Sequence, residues 1–248
     1  MALNVDAKAP PRGVMLSEWP RAAMRLGMLP FAWRELMSAP RGDGRPVLAL
    51  PGLVNGDNSN LVLRHYLNTL GYRAFPWELG RNFGPRAIGV EGERLFERIA
   101  AIHDETGEKV TLVGVSLGGI MARVAAHRAP DLVREVITVC SPFAGLPSAT
   151  NVWRVFELAS GQRADDPLVR AFLEEASEPL PVPATAIWSR SDGLVNGEVC
   201  HEAECDAARS VEVSNGHLLA QMSPEVLRAV AETLARAGDQ SSSGSPAR

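Results

Sequence analysis

Three short segments carry residue types that can do covalent chemistry together: Gly114-Val115-Ser116-Leu117-Gly118, Ser191-Asp192-Gly193 and Gly216-His217. A serine hydroxyl is a weak nucleophile at neutral pH. It needs a base to take its proton, an acid to orient that base, and N–H donors for the oxyanion that forms. Ser116 offers a candidate nucleophile, His217 a candidate base and Asp192 a candidate orienting acid. Ser116 stands where an apolar, β-branched run stops and a helix-like run begins. On so sharp a strand-to-helix turn, the flanking glycines let the two elements pass close together. The turn also brings the hydroxyl to a helix N-terminus, whose N–H groups favour negative charge. The Gly-x-Ser-x-Gly pattern is weak alone, since about one chain in ten of this composition would carry it by chance. Its weight comes from the elements that position it.

Apolar β-type runs alternate with helix-like segments from residue 46 onward. The patterning predicts strands over 46–50, 72–78, 110–115, 135–140, 184–188 and 210–213, with helices over 60–70, 86–105, 117–128 and 224–237. Several strands are continuously apolar, as expected of strands covered on both faces. The alternation predicts an α/β fold with a mostly parallel sheet of about six strands flanked by helices. Asp192 follows one predicted strand and His217 follows the last, and in such sheets sites assemble at the carboxyl ends of the strands. The chain order Ser116, Asp192, His217 agrees with that placement. Two competing readings stand beside it: Asp192 as a turn-capping residue, and His201 as a rival base. His65, His103 and His127 lie in helix-like segments among charged neighbours and read as surface residues.

Leu117, directly after the serine, offers one backbone N–H for an oxyanion hole. The early strand ends in Leu50-Pro51-Gly52-Leu53, which makes the Leu53 N–H the second candidate. Val54 and Asn55 beside it are expected substrate contacts, although Asn55, Asp57 and Asn58 also suit turns.

Two segments interrupt the rhythm. Residues 142–182 contain two amphipathic helix-like stretches, 151–160 and 167–176, bracketed by prolines. They are expected to form a small helical lid, with a long crossover over the sheet edge as the plain alternative. Trp153 and Phe156, with Val155, Leu158 and Phe172, suggest an apolar acyl pocket there, or simple core packing. Residues 14–38 are rich in Trp, Met, Leu and Phe with three arginines, and Pro20, Gly27 and Pro30 interrupt them. Short helices docked on the body are expected, in preference to a basic amphipathic stretch on a membrane surface. The domain reading is therefore a docked helical segment over 1–45, a core over 46–141 and 183–237, the insertion over 142–182, and a polar, disordered tail over 238–248.

The 248 residues, 46% of them hydrophobic, suit one large globular domain. A net charge of −4, with basic residues interleaved among acids, gives no sign of a nucleic-acid partner. No apolar run is long enough to span a bilayer, and the N-terminus lacks the pattern of a secretory signal, so a cytoplasmic location is expected. Three cysteines make no disulfide framework. Cys140 reads as core. Cys200 and Cys205, near His201, Glu202 and Glu204, read as a solvated loop rather than a metal site or a local disulfide.

With these residues in hand, the chain resembles the α/β-hydrolase superfamily, within its bacterial lipase and esterase branch. The likeness spans residues 46–237 and rests on Leu50-Pro51-Gly52-Leu53, Gly114-Val115-Ser116-Leu117-Gly118-Gly119, Ser191-Asp192-Gly193 and Gly216-His217. The stretch from Gly71-Tyr72-Arg73 to Asn82-Phe83-Gly84-Pro85 is similar to a group of short bacterial hydrolases. The resemblance implies transfer of an acyl group from a small-molecule ester to water through a serine acyl-enzyme, without metal or organic cofactor. Two departures stand out. Pro51-Gly52 replaces the His-Gly of many members, and the first two strands of the full eight-stranded sheet are not visible before residue 46. An acyltransferase on the same fold is the nearest alternative function, and a non-catalytic binding module is the alternative of another class. A dehalogenase or epoxide hydrolase fits less well, since those members resemble one another in using Asp at the elbow.

Overall fold

The computed structural model of the chain describes residues 3–242 apart from 5, 90, 164 and 204. Its centre is a six-stranded, wholly parallel sheet in the order β2-β1-β3-β4-β5-β6. The strands are β1 (Pro46–Leu50), β2 (Arg73–Pro76), β3 (Val110–Val115), β4 (Val133–Val139), β5 (Ala184–Trp188) and β6 (Ala208–Glu212). Three of the six coincide with the sequence-predicted spans end to end. The central strands β1 and β3 are buried at every position, which is why their sequences are apolar without alternation.

Successive residues still point to opposite sides. Val47, Ala49, Val113 and Val115 join one apolar cluster, while Leu48, Leu50, Val110 and Leu112 join another. The helices divide accordingly. On the first side lie α2 (Glu18–Leu36), preceded by the short α1 (Arg12–Leu16), then α3 (Leu61–Leu70) and α9 (Pro224–Ser242). On the second lie α4 (Pro85–Ile88), α5 (Glu93–Thr106) and α6 (Leu117–Arg128). Leu95, Ile99 and Ile102 of α5 are buried at helical spacing. Each such side chain contributes about 2 kcal/mol by leaving water.

The helix expected over 86–105 is two helices. Gly89 (φ 90°) and Gly92 (φ 82°) adopt conformations that L-residues rarely take, which ends α4 and starts α5 afresh. The N-terminal segment departs in the opposite sense. In place of short helices, α2 runs unbroken through Gly27 and Pro30. Pro20 lies in its first turn, where an N–H has no helical acceptor to lose. The inner stripe, including Ala22, Leu29, Trp33 and Leu36, packs against the core and offsets the cost of Pro30. The outer face leaves Trp19, Met24, Met28 and Phe31 exposed. At the other end, α9 extends to Ser242, five residues into the predicted tail. An interior Gly such as Gly238 costs a helix about 1 kcal/mol and does not stop it; residues 243–248 lie outside the described ones.

The insertion forms α7 (Trp153–Ser160) and α8 (Pro167–Ser177). Val169, Leu173 and Ala176 of α8 pack against Ile120 and Val124 of α6. Arg123 of α6, fully buried, ties the end of α8 down. Its guanidinium donates to the carbonyls of Ala176 and Glu178, pairs with Glu202, and lies 3.9 Å over the Phe143 ring. The acidic loop expected to be solvated is thus partly structural, because a buried guanidinium requires a counter-charge. Cys200 in that loop is buried and Cys205 is exposed; both thiols, like that of Cys140, are free. Glu204 lies outside the described residues.

Glu135 on β4 is a buried carboxylate whose titration is moved toward neutral pH. Burial pushes it up to about 7 from an ordinary 4.5, against the pull of Arg45 (3.6 Å) and a hydrogen bond from Thr111. Between those two values the folded chain holds more protons than the unfolded one, so stability falls as pH rises through the window. The group is expected to remove roughly 3 kcal/mol between about pH 5 and pH 8. Glu135→Gln should flatten that slope in urea unfolding curves recorded at both pH values.

Candidate active site

The turn that carries Ser116 is built by close backbone approach. β3 ends at Val115 and α6 starts at Leu117, leaving Ser116 alone at the corner with φ 52° and ψ −120°. A non-glycine residue held there costs on the order of 1–3 kcal/mol, which the surrounding packing must offset. The glycines permit it. A side chain on Gly118 would come within 2.6 Å of the Leu50 carbonyl oxygen, and one on Gly114 would overlap Gly118 and Gly119. The Ser116 N–H donates to Val139 O at 2.8 Å, which fixes the corner against β4.

The structure brings the three sequence-predicted residues together. His217 Nε2 lies 3.0 Å from Ser116 Oγ, and His217 Nδ1 lies 2.7 Å from Asp192 Oδ2. The second Asp192 oxygen, Oδ1, accepts the N–H groups of Leu194 and Val195, each at 2.8 Å. Asp192 therefore caps its own turn and faces His217 as well, because its two oxygens serve different partners. Desolvation alone would lower the His217 pKa. The charge and hydrogen bond of Asp192, with a contribution from Glu18, outweigh it and hold the imidazole above its ordinary 6.5. His201 stays apart, tilted against the Trp188 ring.

Leu117 is the first residue of α6, so its N–H has no acceptor within the helix. The Pro51-Gly52-Leu53 loop is adjacent to the serine; a side chain on Gly52 would touch Ser116 Cβ at 3.4 Å. Both leucines line a cavity of about 560 Å³ that also reaches Ser116, Trp153, Phe156 and Phe172. Its wall is mainly apolar. Of the expected substrate contacts, Trp153 and Phe156 thus line the cavity and Val54 and Asn55 do not. The Val54 N–H donates to Asn82 O, the Asn55 N–H donates to Gly52 O, and the Asn55 carbonyl accepts the Asn82 N–H, so the backbone of both residues is engaged within the loop region. In the insertion, Val155 and Leu158 face solvent. Phe172 does line the cavity.

Two groups beside the Asp192–His217 pair were not assigned to it from the sequence, although Cys140 is core as expected. Cys140, at the end of β4 with φ 49°, is buried with its thiol toward Asp192. Burial, with the nearby Asp192 charge, pushes that thiol well above its ordinary range, so it stays protonated. Among the described residues, Cys140, Asp192 and His217 are the group whose ligating atoms lie close enough for a metal ion, within 4.8 Å. Asp192 and His217 are already engaged with each other. The other group is Glu18 of α2, whose carboxylate is buried against the loops carrying Asp192 and His217. Its one sequence signal was faint: Glu18, Arg21 and Arg25 recur at helical spacing.

Known proteins agree with this architecture. A family model described as the α/β hydrolase fold matches residues 95–173. No curated protein matches the chain. Among solved structures, the Paleococcus ferrophilus monoacylglycerol lipase superposes with a TM-score of 0.58 at 20% identity, covering 80% of this chain and 96% of that one. A structure from work on LipS and LipT, two metagenome-derived lipolytic enzymes, gives 0.59 at 15% identity, over 81% and 96% of the two chains. The pyrethroid hydrolase PytH gives 0.53 at 18% identity, over 79% and 99%. No helix among the described residues is long and apolar enough to cross a membrane. With an all-parallel six-stranded sheet, a serine at the turn from β3 to α6 and these likenesses, the chain is an α/β-hydrolase-fold protein.

Proposed function

We propose that the protein hydrolyses carboxylic esters with an apolar acyl group, using Ser116 as nucleophile, His217 as general base and Asp192 as the orienting acid. The observation that carries this reading is the unbroken chain of contacts from Asp192 Oδ2 to His217 to Ser116 Oγ, ending at the wall of a mainly apolar cavity. His217 takes the hydroxyl proton as Ser116 Oγ attacks the ester carbonyl. Asp192 keeps Nδ1 protonated and stabilises the imidazolium that results. The tetrahedral oxyanion sits against the N–H groups of Leu117 and Leu53, at the N-terminus of α6. His217 then returns the proton to the leaving alcohol. Water, deprotonated by the same imidazole, releases the acid and restores Ser116. The base must be neutral to act, so activity rises with pH through a limb set above the ordinary imidazole range.

The test is hydrolysis of 4-nitrophenyl esters of increasing acyl length, with wild type and Ser116→Ala. Each methylene that enters the cavity contributes about 0.8 kcal/mol, so kcat/KM should rise about fourfold per added methylene until the cavity is filled. A flat or falling series would sink the apolar-acyl reading. Fluorophosphonate labelling of Ser116 without turnover of any ester would favour the acyltransferase. Absence of both would favour a binding module.

A further inference from the structure

The residues that surround the Asp192–His217 pair from outside the sheet come from a helix that precedes the α/β core. Glu18 opens α2, and its carboxylate is 1% exposed. Oε1 accepts the Gly193 N–H at 2.7 Å, and Oε2 accepts the Leu218 N–H at 3.0 Å. Gly193 directly follows Asp192, and Leu218 directly follows His217. One carboxylate thus holds the main chain next to both residues. Arg21 on the same face donates to Glu18 Oε1 at 2.8 Å and to the Ser191 carbonyl at 2.7 Å, and Arg25 donates to the Ser214 carbonyl. The helix thus offers acceptors to one N–H group on each loop and donors to one carbonyl on each.

The packing of α1 and α2 on the loops also accounts for the glycines beside the two residues. A side chain on Gly216 would strike Glu18 Oε2 at 2.5 Å, and one on Gly193 would strike the Val14 carbonyl oxygen at 2.7 Å. The loops have a second tie between themselves, in which the Ser189 and Ser191 hydroxyls donate to Asn215 O at 2.5 and 3.0 Å. That tie joins the loops one to three residues away from Asp192 and His217; Glu18 joins them at the next residue in each case.

We propose that Glu18 is a positioning residue, whose bridge between the Gly193 and Leu218 N–H groups holds Asp192 and His217 in register with Ser116. This rests on the Ser116–His217–Asp192 reading. Glu18 does not line the cavity, so it acts through the pair and not on the substrate. The ionisable groups facing His217 are Asp192 and Cys140 from the sheet ends and Glu18 from α2, with Arg21 and Arg25 beside Glu18 and Glu225 of α9 beside Arg25.

The test compares wild type, Glu18→Gln, Glu18→Asp and, as a control on the same helix, Glu35→Gln, which loses only an exposed ion pair to Arg228. Glu18→Gln keeps an acceptor for one N–H but turns a donor toward the other. Its kcat should fall about 10- to 100-fold, the penalty of a misplacement on the scale of 1 Å, while KM stays within a factor of about three. The acid limb of its pH profile should move to lower pH, because a negative charge that favours the imidazolium has gone. Glu18→Asp keeps the charge but cannot span both N–H groups, so kcat falls while the limb stays. Glu35→Gln should match wild type in both. Wild-type kcat and an unmoved limb in Glu18→Gln, with only a lowered melting temperature, would overturn the proposal, as would full kcat in Glu18→Asp. Proton NMR of the His217 Nδ1–H resonance reads the same geometry without turnover. It should shift and exchange faster in Glu18→Gln even if no ester is hydrolysed, and an unchanged resonance would overturn the proposal independently of the ester reading.

Discussion

Ser116→Ala is expected to lower kcat on a 4-nitrophenyl ester by about 10⁴- to 10⁶-fold, leave KM within a small factor, and abolish fluorophosphonate labelling. The size of the loss follows from what remains. The Leu117 and Leu53 N–H groups and the cavity survive the substitution, and such elements alone retain some catalysis over water. No covalent intermediate forms, so attack by water must proceed without the oriented hydroxyl. The fold should be little affected. Alanine at φ 52° carries the same backbone strain as serine, and the main-chain bond from residue 116 to Val139 O is kept. Thermal unfolding within a few degrees of wild type, together with the kinetic loss, would separate chemistry from stability. Retention of more than about a tenth of wild-type kcat would remove Ser116 from the nucleophile role.

The second large effect is expected at Asp192. Asp192→Asn should lower kcat by about 10⁴-fold at neutral pH, and the geometry says how. Oδ1 accepts two N–H groups, from Leu194 and Val195, and these cannot face an amide NH₂. The asparagine oxygen must therefore take that site, which turns its NH₂ toward His217 Nδ1. Nδ1 then accepts instead of donating, and the ring proton moves to Nε2, where it faces Ser116 Oγ. The imidazole is left in the tautomer that cannot take the serine proton. The imidazolium also loses its adjacent carboxylate, so the acid limb of the pH profile should move to lower pH. A variant that keeps both its rate and its pH profile would show that Asp192 only caps its turn.

These predictions draw on different depths of the sequence. The strands β1, β3 and β5 were legible end to end, because continuous apolar runs between turn residues leave few other registers. The elbow was legible because Gly114, Gly118 and Gly119 are needed for a contact inside one strand–turn–helix unit, which local spacing can record. The break between α4 and α5 was missed for a related reason. Gly89 and Gly92 mark it, but the apolar periodicity of Ile88, Leu95, Ile99 and Ile102 runs through it. Pattern gave no warning that α2 would stay unbroken. Its continuity is supported by Leu29, Trp33 and Leu36 against α3 and α9, residues distant in sequence.

What the sequence determined by itself is the set of chemical parts and the order of the strands that carry them. Ser116, Asp192 and His217 each sit just past a strand, and a parallel sheet delivers such residues to one edge. What only the tertiary structure decided is how those parts are held and what surrounds them. Glu18 lies 174 residues from Asp192 in sequence, and no local period links them. Its carboxylate meets Gly193 and Leu218 because α2 docks across the ends of two strands. The cavity is a matter of tertiary structure for the same reason. Val155 and Phe156 are neighbours with similar character, yet one faces solvent and the other lines the wall. Residue type records the cost of leaving water; the docking of separate elements decides which side chains meet.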